Sequence, residues 1–358
     1  MRRSPTAIVM LNLGGPANLD EVEPFLLELF ADREIIQLPF QSWLGPFIAR
    51  RRAPKVRSLY EKIGGGSPIL RYTRAQGHGM VERLDRLSPE TAPHAFYVAF
   101  RYVQPKSEDA LRAMAADGVE RAVAFTQYPQ FSCSTTGSSL NELWRAAERT
   151  GLSGAFDWSI IDRWPVHPGF TAAMTETVRE GLDRFDPAHR DRVPILFSAH
   201  SLPLSVIDRG DPYPQEVGAS VQAVVDRLGR PNPYLLAYQS EVGPVRWLGP
   251  STERVIRRLG ARGEKRLLVV PIAFTSDHIE TLSELDREYG EVAHQVGISE
   301  YRRSPALNDR PDFIDALADI VREHLASGRP HGPLYRTRCP GCENPACRQL
   351  DVRATQPA

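Results

Sequence analysis

Leu267-Leu268-Val269-Val270-Pro271-Ile272-Ala273-Phe274, running straight into Thr275-Ser276-Asp277-His278, is the stretch on which the fold turns. A short, near-continuous apolar run suits a strand of a parallel sheet covered on both faces. Similar runs recur at 7–13, 96–100, 122–125, 193–197 and 235–238. Helical stretches separate them, so βαβ units and an α/β fold are expected. The reading is of two similar Rossmann-like domains with parallel sheets flanked by helices. Residues 1–125 form the first domain, 126–329 the second, and 330–358 a cysteine-containing extension.

The polar residues sit just after these runs. Gly14-Gly15-Pro16 follows Leu13, Arg101-Tyr102 follows Phe100, and Gln127-Tyr128-Pro129 follows Phe125. Ser198-Ala199-His200 follows Phe197, and Asp277-His278 follows Phe274. In open α/β sheets ligands bind beyond the carboxyl ends of the strands. These segments are therefore expected to line a cleft.

Composition narrows the classes of function. The chain has 358 residues, 42% apolar and 25% charged, with a formal net charge of zero. These values are ordinary for a globular protein. Without a basic excess, a nucleic-acid binder is not indicated. No apolar run reaches the roughly 18 residues that span a bilayer. The start, Met1-Arg2-Arg3-Ser4-Pro5-Thr6, leads into a short apolar run that does not read as a signal or transit peptide. The expectation is a bacterial cytoplasmic protein.

Several segments carry candidate chemistry. Imidazole is the side chain best placed to accept a proton near neutrality, which singles out His200 at a strand end, against the alternative of a structural histidine. After Phe274, Ser276 and Asp277 are candidate helix N-caps. Helical spacing aligns Asp277, Glu280, Glu284 and Glu288 on one face, while Leu282 and Leu285 fall on another and read as core. Such a row passes protons or guides a divalent cation, against the alternative of a solvated acidic face. His278 is either a ligand or a helix-start histidine. Residues 37–52 set Phe40, Trp43 and Phe47 around Pro39, Gly45 and Pro46, then end in Arg50, Arg51 and Arg52. An apolar lip flanked by arginines suits a flat apolar ligand with carboxylate tails, or an anionic membrane surface. The alternative is a buried loop. Ile63-Gly64-Gly65-Gly66-Ser67-Pro68 reads as a close-approach loop.

The four cysteines are Cys133, Cys339, Cys342 and Cys347. The last three form a C-x2-C-x4-C cluster, a spacing that pre-places two thiolates on one metal centre. Four thiolates suit a [2Fe–2S] cluster or a tetrahedral zinc, and spacing alone leaves both open, with unligated thiols as the further alternative.

Together these stretches resemble the protoporphyrin ferrochelatases over nearly the whole chain, and more narrowly their cluster-bearing type. The matching motifs are Leu11–Pro16, Gly64–Ile69, Phe100–Val103, Gln127–Gln130, Phe197–Pro203, Arg209–Pro214, Gln239-Ser240 with Trp247–Pro250, and Phe274–Glu284. The resemblance implies a lyase that inserts Fe²⁺ into protoporphyrin IX in a cleft between two Rossmann-like domains. It implies that His200 is the catalytic histidine, faced by Glu280, with Asp277, His278 and Glu284 extending the acidic path. His200 and Glu280 would handle the substrate iron. Leu13, Arg51, Arg52, Tyr60, Ser67, Arg101, Tyr102, Tyr128, Trp164 and Trp247 fall at positions near the porphyrin or the metal route. The lip at 38–48 matches a membrane-facing mouth, which implies peripheral contact at the inner membrane, and the family implies a homodimer. Cys133, Cys339, Cys342 and Cys347 match four ligands of a [2Fe–2S] cluster, whose expected role is structural. A methionine common in the first motif is Leu13 here, a volume-conserving change. Rival readings are a chelatase for coproporphyrin or another metal, an iron–sulfur electron carrier, and a haem-binding module without turnover.

Overall fold

Apolar side chains on both faces place β1 (Thr6–Asn12) at the centre of a sheet, and all of its residues are buried. It pairs in parallel with β2 (His94–Phe100) on one side and β3 (Arg121–Thr126) on the other, and β3 pairs with β4 (Asp157–Ile161). A second parallel sheet contains β5 (Ile195–His200), β6 (Tyr234–Gln239), β7 (Arg266–Pro271) and β8 (Glu300–Arg303). The strand orders are β2-β1-β3-β4 and β6-β5-β7-β8, the same topology twice. These features come from a computed structural model that describes residues 4–337, 339–345 and 347. Met1–Arg3, and the expected extension from residue 348 on, lie outside the described residues.

Helices in chain order are α1 (Val22–Ala31), α2 (Gln41–Lys62), α3 (Ile69–Leu87), α4 (Ser107–Ala116), α5 (Ser138–Thr150), α6 (Pro168–Asp183), α7 (Leu204–Asp208), α8 (Tyr213–Leu228), α9 (Thr252–Ala261), α10 (Tyr289–Gln295) and α11 (Pro311–Ser327). Two further segments, Cys133–Gly137 and Glu280–Glu288, are π-helical. Helix spacing explains the burial. In α9, Thr252, Val255, Ile256 and Leu259 form one buried stripe, and the Ser251 hydroxyl caps the helix by accepting from the Arg254 amide at 3.4 Å. In α5, Leu140, Leu143, Ala146 and Ala147 are buried, and Gly151 ends the helix at φ +69°. No helix among the described residues is long and apolar enough to cross a membrane.

The chain divides into two compact units. Among the described residues, the first holds 4–164, 314–337, 343–345 and 347, and the second holds 165–313 with 339–342. In the first, Val9, Leu11, Ala122, Ala124, Leu111, Leu143 and Trp158 pack in one core. In the second, Leu196, Leu267, Val269, Ile256 and Leu285 do the same. The division therefore falls after Trp164, where the sequence reading set it after residue 125. The physical reason is β4, whose register on β3 (Ala122↔Trp158) ties 126–164 to the first sheet. The expected extension is also shared out. Tyr335 belongs to the first core, while Gly341 donates its amide to the Arg209 carbonyl at 3.0 Å in the second unit.

Candidate active site

In each sheet the connections leave in opposite directions from the two central strands, β1 and β3 in one, β5 and β7 in the other. A crevice opens at such a switch point beyond the carboxyl ends. His200 is the last residue of β5, and the segment after β7 leads to Glu280. The fold thus brings these two together. His200 Nε2 lies 3.6 Å from Glu280 Oε1, with both side chains about a third exposed (38% and 27%). His278 Nε2 lies 3.6 Å from the other oxygen, Oε2.

The histidine's tautomer follows from its other nitrogen. His200 Nδ1 makes a short hydrogen bond to the Ser201 carbonyl, which can only accept. Nδ1 therefore carries the hydrogen, and Nε2 is the free lone pair of the neutral ring. Burial would push the Glu280 carboxyl up, but the His200 and His278 imidazoles outweigh it and hold it down at about 2. Burial lowers His278, and the Glu280 carboxylate, with the Ser276 carbonyl and Asp277, more than reverses this and raises it. The site pairs an ionised carboxylate with two imidazoles.

The expected acidic row is not a row. An α-helix would have aligned 277, 280, 284 and 288, but Glu280–Glu288 winds as a π-helix, which redistributes them. Asp277 is not an N-cap. Its carboxylate accepts from the Thr281 hydroxyl at 2.9 Å and Asn308 Nδ2 at 2.8 Å, and pairs with Arg303 at 3.2 Å. Ser276 caps nothing, because Ile279 occupies the N-cap position without a side-chain bond. Glu284 accepts from Gln239 Nε2 at 3.1 Å, the Ser240 amide at 2.8 Å, the Ser240 hydroxyl and the Tyr289 hydroxyl at 2.8 Å. It holds Ser240 in a left-handed conformation, φ +67°. Leu285 is core as expected, and Leu282 is only half-buried. Trp247 is half-buried and donates Nε1 to the Val242 carbonyl at 3.1 Å.

In the first unit, the switch point holds Leu13 and Tyr128. The Tyr128 hydroxyl donates to Asn12 Oδ1 at 2.9 Å and accepts from the Leu13 amide at 2.7 Å. Ser67 is fixed beside them, its amide donating to the Pro16 carbonyl at 2.7 Å. A Cβ on Gly66 would lie 2.1 Å from the Ala17 carbonyl oxygen, so this loop is the close approach the sequence implied. Arg101 and Tyr102 are buried and already engaged. Arg101 pairs with Asp32 and with Glu142 at 3.1 Å, and the Tyr102 hydroxyl donates to Asp32 at 2.6 Å. A substrate carboxylate there would compete with two protein carboxylates. Burial pushes the Tyr102 hydroxyl well up, with Asp32 adding to it, so the group is a neutral donor. Trp164 is core: it is 4% exposed, and its Nε1 donates to the Thr126 carbonyl at 3.0 Å. Tyr60 is buried, Arg51 is exposed, and Arg52 lies over the Phe30 ring at 5.7 Å.

The lip is the N-terminal end of α2. Phe40, Trp43 and Phe47 are 83%, 71% and 55% exposed, and Trp43 and Phe47 stack. The four cysteines form no disulfide. Cys339 and Cys342 share a tight turn closed by the Cys342 amide on the Cys339 carbonyl at 3.0 Å, while Cys347 is buried and Cys133 opens its π-helical turn. Sequence reasoning missed Asp32 and Glu142 as partners of Arg101, and Gln239, Ser240 and Tyr289 as partners of Glu284. These residues are far apart in the chain and carry no shared local pattern.

Comparison with known proteins places the chain among relatives. The family model described as Ferrochelatase matches residues 5–325. Among curated proteins, "Ferrochelatase, mitochondrial" of Xenopus laevis is 55% identical over 347 residues, 97% of this chain and 84% of that one. The protein of the same name from Homo sapiens is 53% identical over 349 residues, 97% of this chain and 82% of that one. Those names overturn the expectation of a bacterial cytoplasm. Among solved structures, SirB from Bacillus subtilis with Fe³⁺ has a TM-score of 0.51 at 12% identity, covering 90% of this chain and 96% of that one. At that identity the likeness speaks for the fold alone.

Proposed function

From the family to which this chain belongs, the ferrochelatases, we propose how its own residues insert ferrous iron into a porphyrin. The reaction is the family's: Fe²⁺ enters protoporphyrin IX, two pyrrole protons leave, and protohaem forms, the terminal step of haem synthesis. The enzyme is a lyase, and iron is its substrate.

One observation carries the assignment of roles. His200 commits Nδ1 to a carbonyl and turns Nε2 toward Glu280. That lone pair accepts a pyrrole proton. The imidazolium so formed faces a carboxylate that is already ionised, which stabilises it. Glu280, held at about 2, is a poor proton carrier at neutral pH. Its task is negative charge, offered to the imidazolium or to the incoming Fe²⁺. His278 Nε2, 3.6 Å from its second oxygen, adds charge and no hydrogen bond. Glu284 and Asp277 act as positioning residues, because donors already fill their carboxylates. An anaerobic assay with protoporphyrin IX and Fe²⁺, followed by loss of porphyrin fluorescence, tests this. His200→Ala is expected to lose at least about 100-fold in turnover while still binding porphyrin. Turnover within a few fold of the parent would remove the base role.

A [2Fe–2S] cluster on Cys133, Cys339, Cys342 and Cys347 is the finer reading. Its support is the tight Cys339–Cys342 turn, the residue spacing and the absence of a disulfide among the four cysteines. The group would supply metal–thiolate bonds that stabilise the fold, and insertion needs no electrons from it. Cys342→Ser is expected to be colourless, with a lowered thermal midpoint. A Cys342→Ser protein with undiminished visible absorption would remove this thiol from the ligand set. The exposed Phe40, Trp43 and Phe47, with Arg50 and Arg51 behind them, support membrane contact by the lip. The relatives' names support a mitochondrial setting. A homodimer rests on the family alone, and sedimentation at micromolar concentration checks it.

A further inference from the structure

We propose that a recess beyond the carboxyl end of β8 binds a small, multiply charged oxyanion of the phosphate class. The recess holds about 390 Å³ and lies wholly within the second unit. Arg184, Arg302, Arg303, Ser304, Asp277 and Asp286 are on its walls.

The charges there do not cancel locally. Arg303 bonds both oxygens of Asp286, at 2.6 and 3.0 Å, and reaches Asp277 at 3.2 Å. Asn308 Nδ2 and the Thr281 hydroxyl complete the shell of Asp277. Both carboxylates are thus already paired with Arg303, so the recess is not built for a cation. Arg184 and Arg302, by contrast, have no carboxylate partner among the described residues. Arg302 lies over the Phe185 ring, its Cζ 5.1 Å from the centroid, which fixes the plane of the guanidinium and leaves its N–H edge to a ligand. Its buried Nε has no partner, and neither does the hydroxyl of Ser304, a residue with no exposed surface.

Unpaired buried donors are destabilising, so a fold that keeps them beside two uncommitted guanidinium groups is suited to an acceptor-rich guest. Two free arginine forks and a hydroxyl match an anion with several oxygens and about two negative charges. A single carboxylate would leave one cation unmatched. The position agrees with the rule that ligands of α/β sheets sit beyond carboxyl strand ends, here at the sheet edge and not at the switch point used by His200. Occupancy would also brace Asp277, whose bond to Thr281 anchors the segment that carries Glu280.

Isothermal titration of the full chain with inorganic phosphate is the test, with sulfate and chloride at matched ionic strength as comparisons. Saturable phosphate binding is expected, weakened at least about tenfold in Arg302→Ala and in Arg184→Gln. Basal iron insertion should be unchanged in both. Arg184 is exposed, so its replacement leaves the core intact even where Arg302→Ala lowers the thermal midpoint. No saturable binding by the parent protein, or binding that survives both substitutions, overturns the proposal. Equal binding of chloride, an anion that offers no oxygens, overturns it as well.

Discussion

At the scale of single residues, the site turns on how many partners each carboxylate has. Glu284 is filled by four donors and Asp277 by three, whereas Glu280 is ion-paired with two imidazoles. Glu280→Gln keeps the shape and removes the charge. His200 and His278 would then lose the group that stabilises their protonated forms. We expect iron-dependent kcat/KM to fall about 100-fold, with little change in porphyrin affinity. Measuring iron dependence at saturating porphyrin checks this, and an unchanged iron dependence would remove Glu280 from the metal route. The position of His200 was legible in the sequence as the end of an apolar run, and it is the last residue of β5. The engagement of Arg101 was not legible. Its partners Asp32 and Glu142 sit 69 and 41 residues away, and no local pattern announces a contact made only by folding.

At the scale of elements, the strands carried by long apolar runs announced themselves, and one edge strand of each sheet did not. Six runs named from sequence became β1, β2, β3, β5, β6 and β7. β4 and β8 were missed. An edge strand is covered on one side only and so tolerates polar residues, as Glu300-Tyr301-Arg302-Arg303 shows. The π-helical winding of Glu280–Glu288 was equally invisible, because its apolar pattern fits an α-helix nearly as well. The start of α2 shows the opposite case, in which an odd composition did report its place. Phe40 takes a left-handed conformation, φ +48°, and turns the chain into the helix with Trp43 and Phe47 unburied. Such a patch beside arginines favours an anionic bilayer. Replacing Trp43 and Phe47 together by Ser removes apolar area that the fold does not bury, so stability should hold. Co-sedimentation with vesicles containing anionic lipid should drop by about tenfold or more. Unaltered vesicle binding would locate the membrane contact elsewhere.

At the scale of the whole molecule, acidic and basic side chains are equal in number, 44 each, so no global charge imbalance governs the pH response. Individual shifted groups govern it, and their signs differ. Glu280 is depressed on folding. Its contribution is full above its ordinary value of 4.5, declines as pH falls below that and is lost once pH has fallen through about 2. His324, on α11, is also depressed, to about 4, by burial and by the neighbouring His331. A histidine held neutral by the fold contributes nothing unfavourable above its ordinary value of 6.5. As pH falls from there toward 4, the unfolded chain takes up a proton that the folded chain refuses, and stability declines. The loss is up to about 3 kcal/mol once the folded state is also protonated. The first acid weakening of this protein should therefore come from α11, well before the Glu280 carboxylate protonates. Thermal midpoints measured between pH 7 and pH 4 should fall steadily for the parent protein. His324→Gln, which cannot take up the proton, should flatten that slope while leaving turnover at neutral pH unchanged. A slope as steep in His324→Gln as in the parent would mean that another group carries the acid response.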